Sequence, residues 1–188
     1  MAPLPHPPAG CAWAPDTVWA WRPAFWDAPG VVPVRHPASG EEVAPGLKAF
    51  HDGAEGSLEL GPGEPAGLRL TTGRASGTYA SLVCDLPDAA ARACTARSVV
   101  RLCAAARYDG ADRIFGRINL RHGPNTVSQT RPAEVAGERL LAEFDLAYCA
   151  LGHGDAEQIW VDLLIGEPGP ATLHLTDLAL SARHRLEF

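Results

Sequence analysis

Apolar and polar positions alternate with a period of two along most of the chain after residue 47. In 78–86, Ala80, Leu82, Cys84 and Leu86 alternate with Tyr79, Ser81, Val83 and Asp85. In 97–107 the set Val100, Leu102, Ala104 and Ala106 lies opposite Arg97, Arg101 and Arg107. Such alternation marks antiparallel strands with one face in the core and one in water. The pattern predicts strands at 47–50, 57–60, 67–72, 78–86, 97–107, 113–121, 126–131, 138–146, 158–165 and 171–183, separated by Gly, Pro, Asp and Asn. Asp88 is placed to cap a single short helix through the alanines at 89–91. The expected fold is an all-β antiparallel sandwich of jelly-roll type with at most one short helix.

The last segment carries a parity switch. Leu173 and Leu175 share one face of a regular strand, whereas Leu178, Leu180 and Ala182 share the other. Both sets reach one core only if the strand bulges or bends at Thr176–Asp177.

Residues 1–40 have no such period. They hold nine of the 17 prolines and four of the five tryptophans, Trp13, Trp19, Trp21 and Trp26. Proline at this density forbids a continuous helix, and linkers rarely carry such large apolar rings. The expected division is a Trp/Pro-rich N-terminal arm over 1–44 that packs on a sandwich domain over 45–188.

Composition narrows the partners. The chain has 188 residues and a net charge of −6, and Lys48 is its one lysine. An acidic chain of this kind is poorly suited to a phosphate backbone, so no nucleic-acid partner is expected. No run approaches the roughly 18 apolar residues of a membrane span. The start lacks the basic residues and apolar run of a signal peptide. The five cysteines are odd in number and show no CxxC spacing. A disulfide framework or zinc ribbon is therefore not expected, and the reading is a cytoplasmic protein in a reducing compartment.

Two strands carry a distinctive polar face. Segment 113–121 turns Ile114, Ile118 and Leu120 one way and Arg113, Phe115, Arg117, Asn119 and Arg121 the other. Segment 158–165 turns Ile159, Val161, Leu163 and Ile165 inward and Gln158, Trp160 and Asp162 outward. If both lie in one sheet, the face joins an indole to guanidinium, amide and carboxylate groups. Sugar recognition uses that combination, a ring against C–H faces and planar polar groups against hydroxyls. The turn His122-Gly123-Pro124-Asn125-Thr126 places His122 and Asn125 at the rim. A second reading stays open: Trp160 packs under the arm, and the arginines pair with Glu143 or Asp145.

Other motifs are weaker. His153-Gly154-Asp155 with Glu157 could offer a structural calcium oxygen ligands, without the spacing of a known loop; no other cofactor or metal is expected. His51-Asp52 before Gly53 reads as a turn. Gly73-Arg74-Ala75-Ser76-Gly77 has the serine in the wrong slot for a nucleophile elbow, and no catalytic residue is assigned.

From Phe50-His51-Asp52 onward the chain resembles an alphaproteobacterial family of unknown function. The resemblance rests on Gly77-Thr78-Tyr79-Ala80-Ser81-Leu82, Arg117-Ile118-Asn119, His122-Gly123-Pro124-Asn125-Thr126, Phe144-Asp145-Leu146-Ala147-Tyr148, Trp160-Val161-Asp162-Leu163 and Leu175-Thr176-Asp177-Leu178. It implies a family and no activity. The strand pattern is also similar to non-catalytic carbohydrate-binding jelly rolls, a likeness of fold alone. Three functions follow in order of preference. They are a binding module for a glycan or small polar ligand, a structural or assembly protein whose arm docks on a protein partner, and a carbohydrate-active enzyme.

Overall fold

A computed structural model describes the chain except residues 1–2, 28–29, 31, 65, 74–76, 111–113, 150–155, 167–168 and 186–188. In chain order the strands are β1 (Thr17–Trp21), β2 (Glu41–Ala44), β3 (Leu47–His51), β4 (Leu58–Pro62), β5 (Leu68–Thr72), β6 (Tyr79–Asp85) and β7 (Ser98–Asp109). They continue as β8 (Ile114–His122), β9 (Asn125–Pro132), β10 (Glu134–Ala136), β11 (Arg139–Asp145), β12 (Gln158–Gly166) and β13 (Ala171–His184). Among the described residues one α-helix, α1 (Asp88–Ala93), follows β6, and short 3-10 turns lie at Ala24–Asp27 and Leu146–Tyr148.

The strands form two antiparallel sheets, a jelly-roll β-sandwich. One runs β10-β11-β7-β13-β5-β4, with β1 added alongside β13; the other runs β2-β3-β6-β12-β8-β9. The core between them is built from the inward parities, including Leu82, Val100, Leu102, Ile118, Leu120, Phe144, Val161 and Leu163. At Gly116 the two sheets approach so closely that an added Cβ would stand 2.7 Å from the Ala142 Cβ. No helix among the described residues is long and apolar enough to cross a membrane.

The parity switch near the C-terminus is a β-bulge. β13 pairs with β7 throughout, and the register shifts between Leu175 and Asp177. Leu173, Leu175, Leu178, Leu180 and Ala182 all join the core as a result.

Four expectations are corrected. The segment read as an arm supplies strands: β1 pairs with β13 from Thr17↔Arg183 to Trp21↔Leu180, and β2 pairs with β3. The boundary placed at 44/45 therefore falls in the turn of a hairpin. Second, the outer face of β7 is not wet, since Val99, Cys103 and Ala105 are buried although they point away from the core. The polypeptide before β1 crosses that face. Third, two cysteines are not free: Cys11 of this crossing segment is disulfide-bonded to Cys103 of β7. Spacing could not show this, because the partners are 92 residues apart and meet through packing alone. Fourth, Asp88 is the first helical residue and not the cap; Pro87 holds the cap position and no side chain caps the helix.

The tryptophans divide between core and cover. Trp26 is only 4% exposed and meets Phe25 edge to face, with ring centroids 4.7 Å apart. Trp19 and Trp21 pack half-buried against the core, and the Trp13 indole donates to the Pro5 carbonyl at 2.7 Å. All four rings are thus engaged by their own chain, and the outer face of the six-stranded sheet is left uncovered by them.

Candidate functional site

The two polar strands are neighbours. β12 pairs with β8 in a register that sets Gln158 beside Arg121, Trp160 beside Asn119 and Asp162 beside Arg117. On its other edge β12 pairs with β6, setting Trp160 beside Asp85 and Asp162 beside Val83. β3 adds Lys48 beside Val83 and Phe50 beside Ser81. Residues directly opposite on one face stand about 4.5–5.5 Å apart at Cβ, so these four strands present one continuous surface.

That surface holds a groove of about 400 Å³. β8 and β12 line it with Arg117, Arg121, Gln158, Trp160 and Asp162. β6 contributes Tyr79, Ser81, Val83 and Asp85, and β3 contributes Lys48 and Phe50. The volume lies within the usual range for small-ligand pockets.

A hydrogen-bonded network forms the floor. Asp162 is 1% exposed, and its carboxylate accepts from Arg117 Nε and, at 3.0 Å, from Asn119 Nδ2. Asn119 in turn accepts from Ser128 Oγ at 2.7 Å. A buried carboxylate is tolerable only with such partners, and here the partners fix the position of each other. Lys48 Nζ meets Asp85 Oδ2 at 2.5 Å on the opposite wall, and this bond raises the lysine above its ordinary pKa. Ser81, 2% exposed at the floor, has an Oγ with no hydrogen-bond partner among the described residues.

The wall at Tyr79 is held from outside the groove. Asp52 accepts the backbone N–H groups of Thr78 at 2.7 Å and Tyr79 at 3.1 Å, and also the Thr78 hydroxyl. The Thr78 hydroxyl bond, with these amides, holds the Asp52 carboxyl below its usual value. Gly77 makes this possible: its φ is +79°, and a Cβ there would lie 2.2 Å from Asp52 Oδ1. The segment read as a plain turn is therefore the clasp that sets the start of β6.

Of the expected site residues, Arg117, Arg121, Gln158, Trp160 and Asp162 come together in the groove. Asn119 lies beneath it with its amide committed to the protein, a positioning residue. His122 and Asn125 sit where β8 turns into β9 and do not line the groove. The other reading of this face has no support in the geometry. Trp160 lines a groove to which no residue of 1–44 contributes, Glu143 takes Arg101, and Asp145 takes Arg185. Arg113, His153, Gly154, Asp155 and Ser76 lie outside the described residues; Glu157 accepts the Gly123 amide at 3.1 Å.

Sequence reasoning missed the contribution of β3 and β6. The signal was there, since Tyr79, Ser81, Val83 and Asp85 share one parity. What the sequence withholds is that β6 lies beside β12.

Residues 10–188 match the sequence model of DUF6478, a family of unknown function. The chain belongs to that family. No curated protein matches it. Among solved structures it is similar to one described as "CBM4 structure and function", with 16% identity, 73% of this chain and 95% of the other covered, and a TM-score of 0.46. It is similar also to the CBM22-1 xylan-binding domain from Paenibacillus barcinonensis Xyn10C, at 12% identity, 84% and 97% coverage and a TM-score of 0.44. A third is the family 11 carbohydrate-binding module from Clostridium thermocellum in complex with a β-1,3-1,4-mixed-linked tetrasaccharide, at 14% identity, 85% and 100% coverage and a TM-score of 0.42.

Proposed function

We propose that this DUF6478 chain is a non-catalytic binding module whose ligand is a glycan or another sugar-bearing molecule, held in the groove of the six-stranded sheet. The observation that carries the reading is the position of Trp160. A half-buried indole stands in an open groove, beside the Lys48–Asp85 pair, with Gln158 and Arg121 next along the sheet. An exposed aromatic face suits the C–H face of a pyranose, and the flanking forks and amides suit its hydroxyls.

The alternative in which the arm docks on a protein partner draws little from its rings, since Trp19, Trp21 and Trp26 pack on their own sandwich and Trp13 bonds within the N-terminal segment. The Cys11–Cys103 disulfide favours an oxidising compartment over the cytoplasmic one suggested by cysteine spacing. The test is calorimetric titration of the full chain with the hits of a glycan array, alongside Trp160→Ala. Binding that disappears in a variant with unchanged circular dichroism supports the reading. No glycan binding by the native chain, or binding indifferent to Trp160, overturns it.

A further inference from the structure

A second cavity, of about 570 Å³, opens on the seven-stranded sheet. Its base is made small by Ala105 and Ala106, and the N-terminal crossing segment walls it at Ala9 and Gly10. The Cys11–Cys103 bond pins that wall beside it. Three nitrogen-bearing side chains converge there. Arg139 of β11 lies opposite Ala105, and Arg107, two residues further along β7, lies opposite His174 of β13.

These groups are unlike the other cations of the same sheet. Arg22 is paired with Asp177, Arg69 with Glu59 and Arg101 with Glu143. Arg107 and Arg139 have no ion-pair partner among the described residues, although Glu64 and Glu138 line the same cavity. Arg139 Nε and His174 Nδ1 are shielded from water and have no hydrogen-bond partner among the described residues. The guanidinium forks of Arg107 and Arg139 carry N–H groups that no carboxylate among the described residues takes up, and the imidazole of His174 beside them donates from at least one ring nitrogen in either tautomer, so the lining of this cavity has donors to spare.

We infer that this cavity is a second binding site, for a small oxyanion, a carboxylate or a phosphate. A planar guanidinium engages either with two parallel N–H bonds, and two guanidinia beside an imidazole surround such a group on three sides. The exposed Glu64 and Glu138 stand at the edge, suited to hydroxyls carried by the same molecule. The site is separate from the Trp160 groove and does not depend on it.

The experiment follows the side-chain N–H signal of Arg139 and the ring signals of His174 in the full oxidised chain. The titrants are inorganic phosphate, acetate and glucuronate, each at constant ionic strength. The expected result is a saturable shift of both residues with at least one titrant; the tightest of the three distinguishes phosphate from carboxylate and shows whether hydroxyls add affinity. Arg107→Gln and Arg139→Gln should each weaken binding about tenfold or more, as expected for a lost charged hydrogen bond. Arg92→Gln, on the exposed side of α1, should leave it unchanged. Arg107 is exposed, so its variant decides the matter even if Arg139→Gln disturbs folding. No saturable shift with any titrant, or equal weakening by Arg92→Gln, overturns the inference.

Discussion

Asn119 donates its amide to the Asp162 carboxylate at 3.0 Å beneath the groove, which makes one residue the support of the other. Asp162 also holds Arg117, whose side chain is about one-third exposed. Removing the carboxylate would strand both donors. Asp162→Ala should therefore cost about 1–3 kcal/mol, the price of leaving such groups unsatisfied, discounted for the water that reaches Arg117. The measurement is the urea midpoint. An unchanged midpoint would mean the network does not support the fold.

Arg121 and Asn119 share a strand face, yet they should behave oppositely under mutation. Arg121 is exposed in the groove, whereas Asn119 is buried and committed to Ser128 and Asp162. Arg121→Gln should weaken glycan binding while the melting temperature stays within error, since exposed changes rarely exceed half a kcal/mol. Asn119→Ala should lower the melting temperature, and binding only as the floor loosens. Calorimetry and thermal melts on both variants check the pair; a reversed outcome would exchange their roles.

Parity made the two polar strands legible, because β8 and β12 are regular and each has one buried face. The bulge at Thr176–Asp177 was legible for the same reason: two leucine sets of opposite parity had to reach one core. What parity does not encode is which strands lie side by side. The neighbours of β12 are β6 and β8, far from it in sequence, so half of the groove could not be assigned. β1, β2 and β10 were missed because none of them alternates buried with more exposed positions, unlike β3 and β5 of similar length. The disulfide was hidden for a related reason, since Cys103 carries the same outward parity as Arg101 and only the chain that crosses it explains its burial.

That disulfide ties the crossing segment to β7. Joining positions 92 residues apart limits the unfolded chain, and such bonds contribute about 2–4 kcal/mol. Cys11→Ser should lower stability by that order in oxidising buffer, and the difference from the native chain should vanish once both are reduced. Denaturant titration with and without reductant reads this directly. A Cys11→Ser protein as stable as the oxidised native chain would contradict it.

The remaining cysteines should be silent. Cys84, Cys94 and Cys149 are buried, and burial raises all three thiols, that of Cys94 to about 12. A thiol becomes a nucleophile only as thiolate, so these groups should resist an aromatic disulfide reagent at pH 8 in the native state. All three should react after unfolding in denaturant. Rapid reaction of Cys84 or Cys94 in the native protein would place β6 or the C-terminal end of α1 closer to water than they are here.

Asp52 offers a test by pH. Its carboxyl sits below the ordinary value of 3.8, chiefly through the Thr78 hydroxyl, with the Tyr79 and Thr78 amides adding to it. A carboxyl depressed in the folded state favours folding when ionised. Its contribution is fully present above the unfolded value and is lost as pH falls through the folded one. Asp52→Asn keeps the shape but lacks the charge. The native chain should therefore be the more stable of the two near neutral pH. The gap should hold down to about pH 5 and close progressively below the ordinary carboxyl value, as the native group takes up its proton. Melting curves of both proteins from pH 7 to pH 2.5 measure it. A gap that stays constant through the acid range would show that the clasp on Thr78 and Tyr79 works through shape and not through charge.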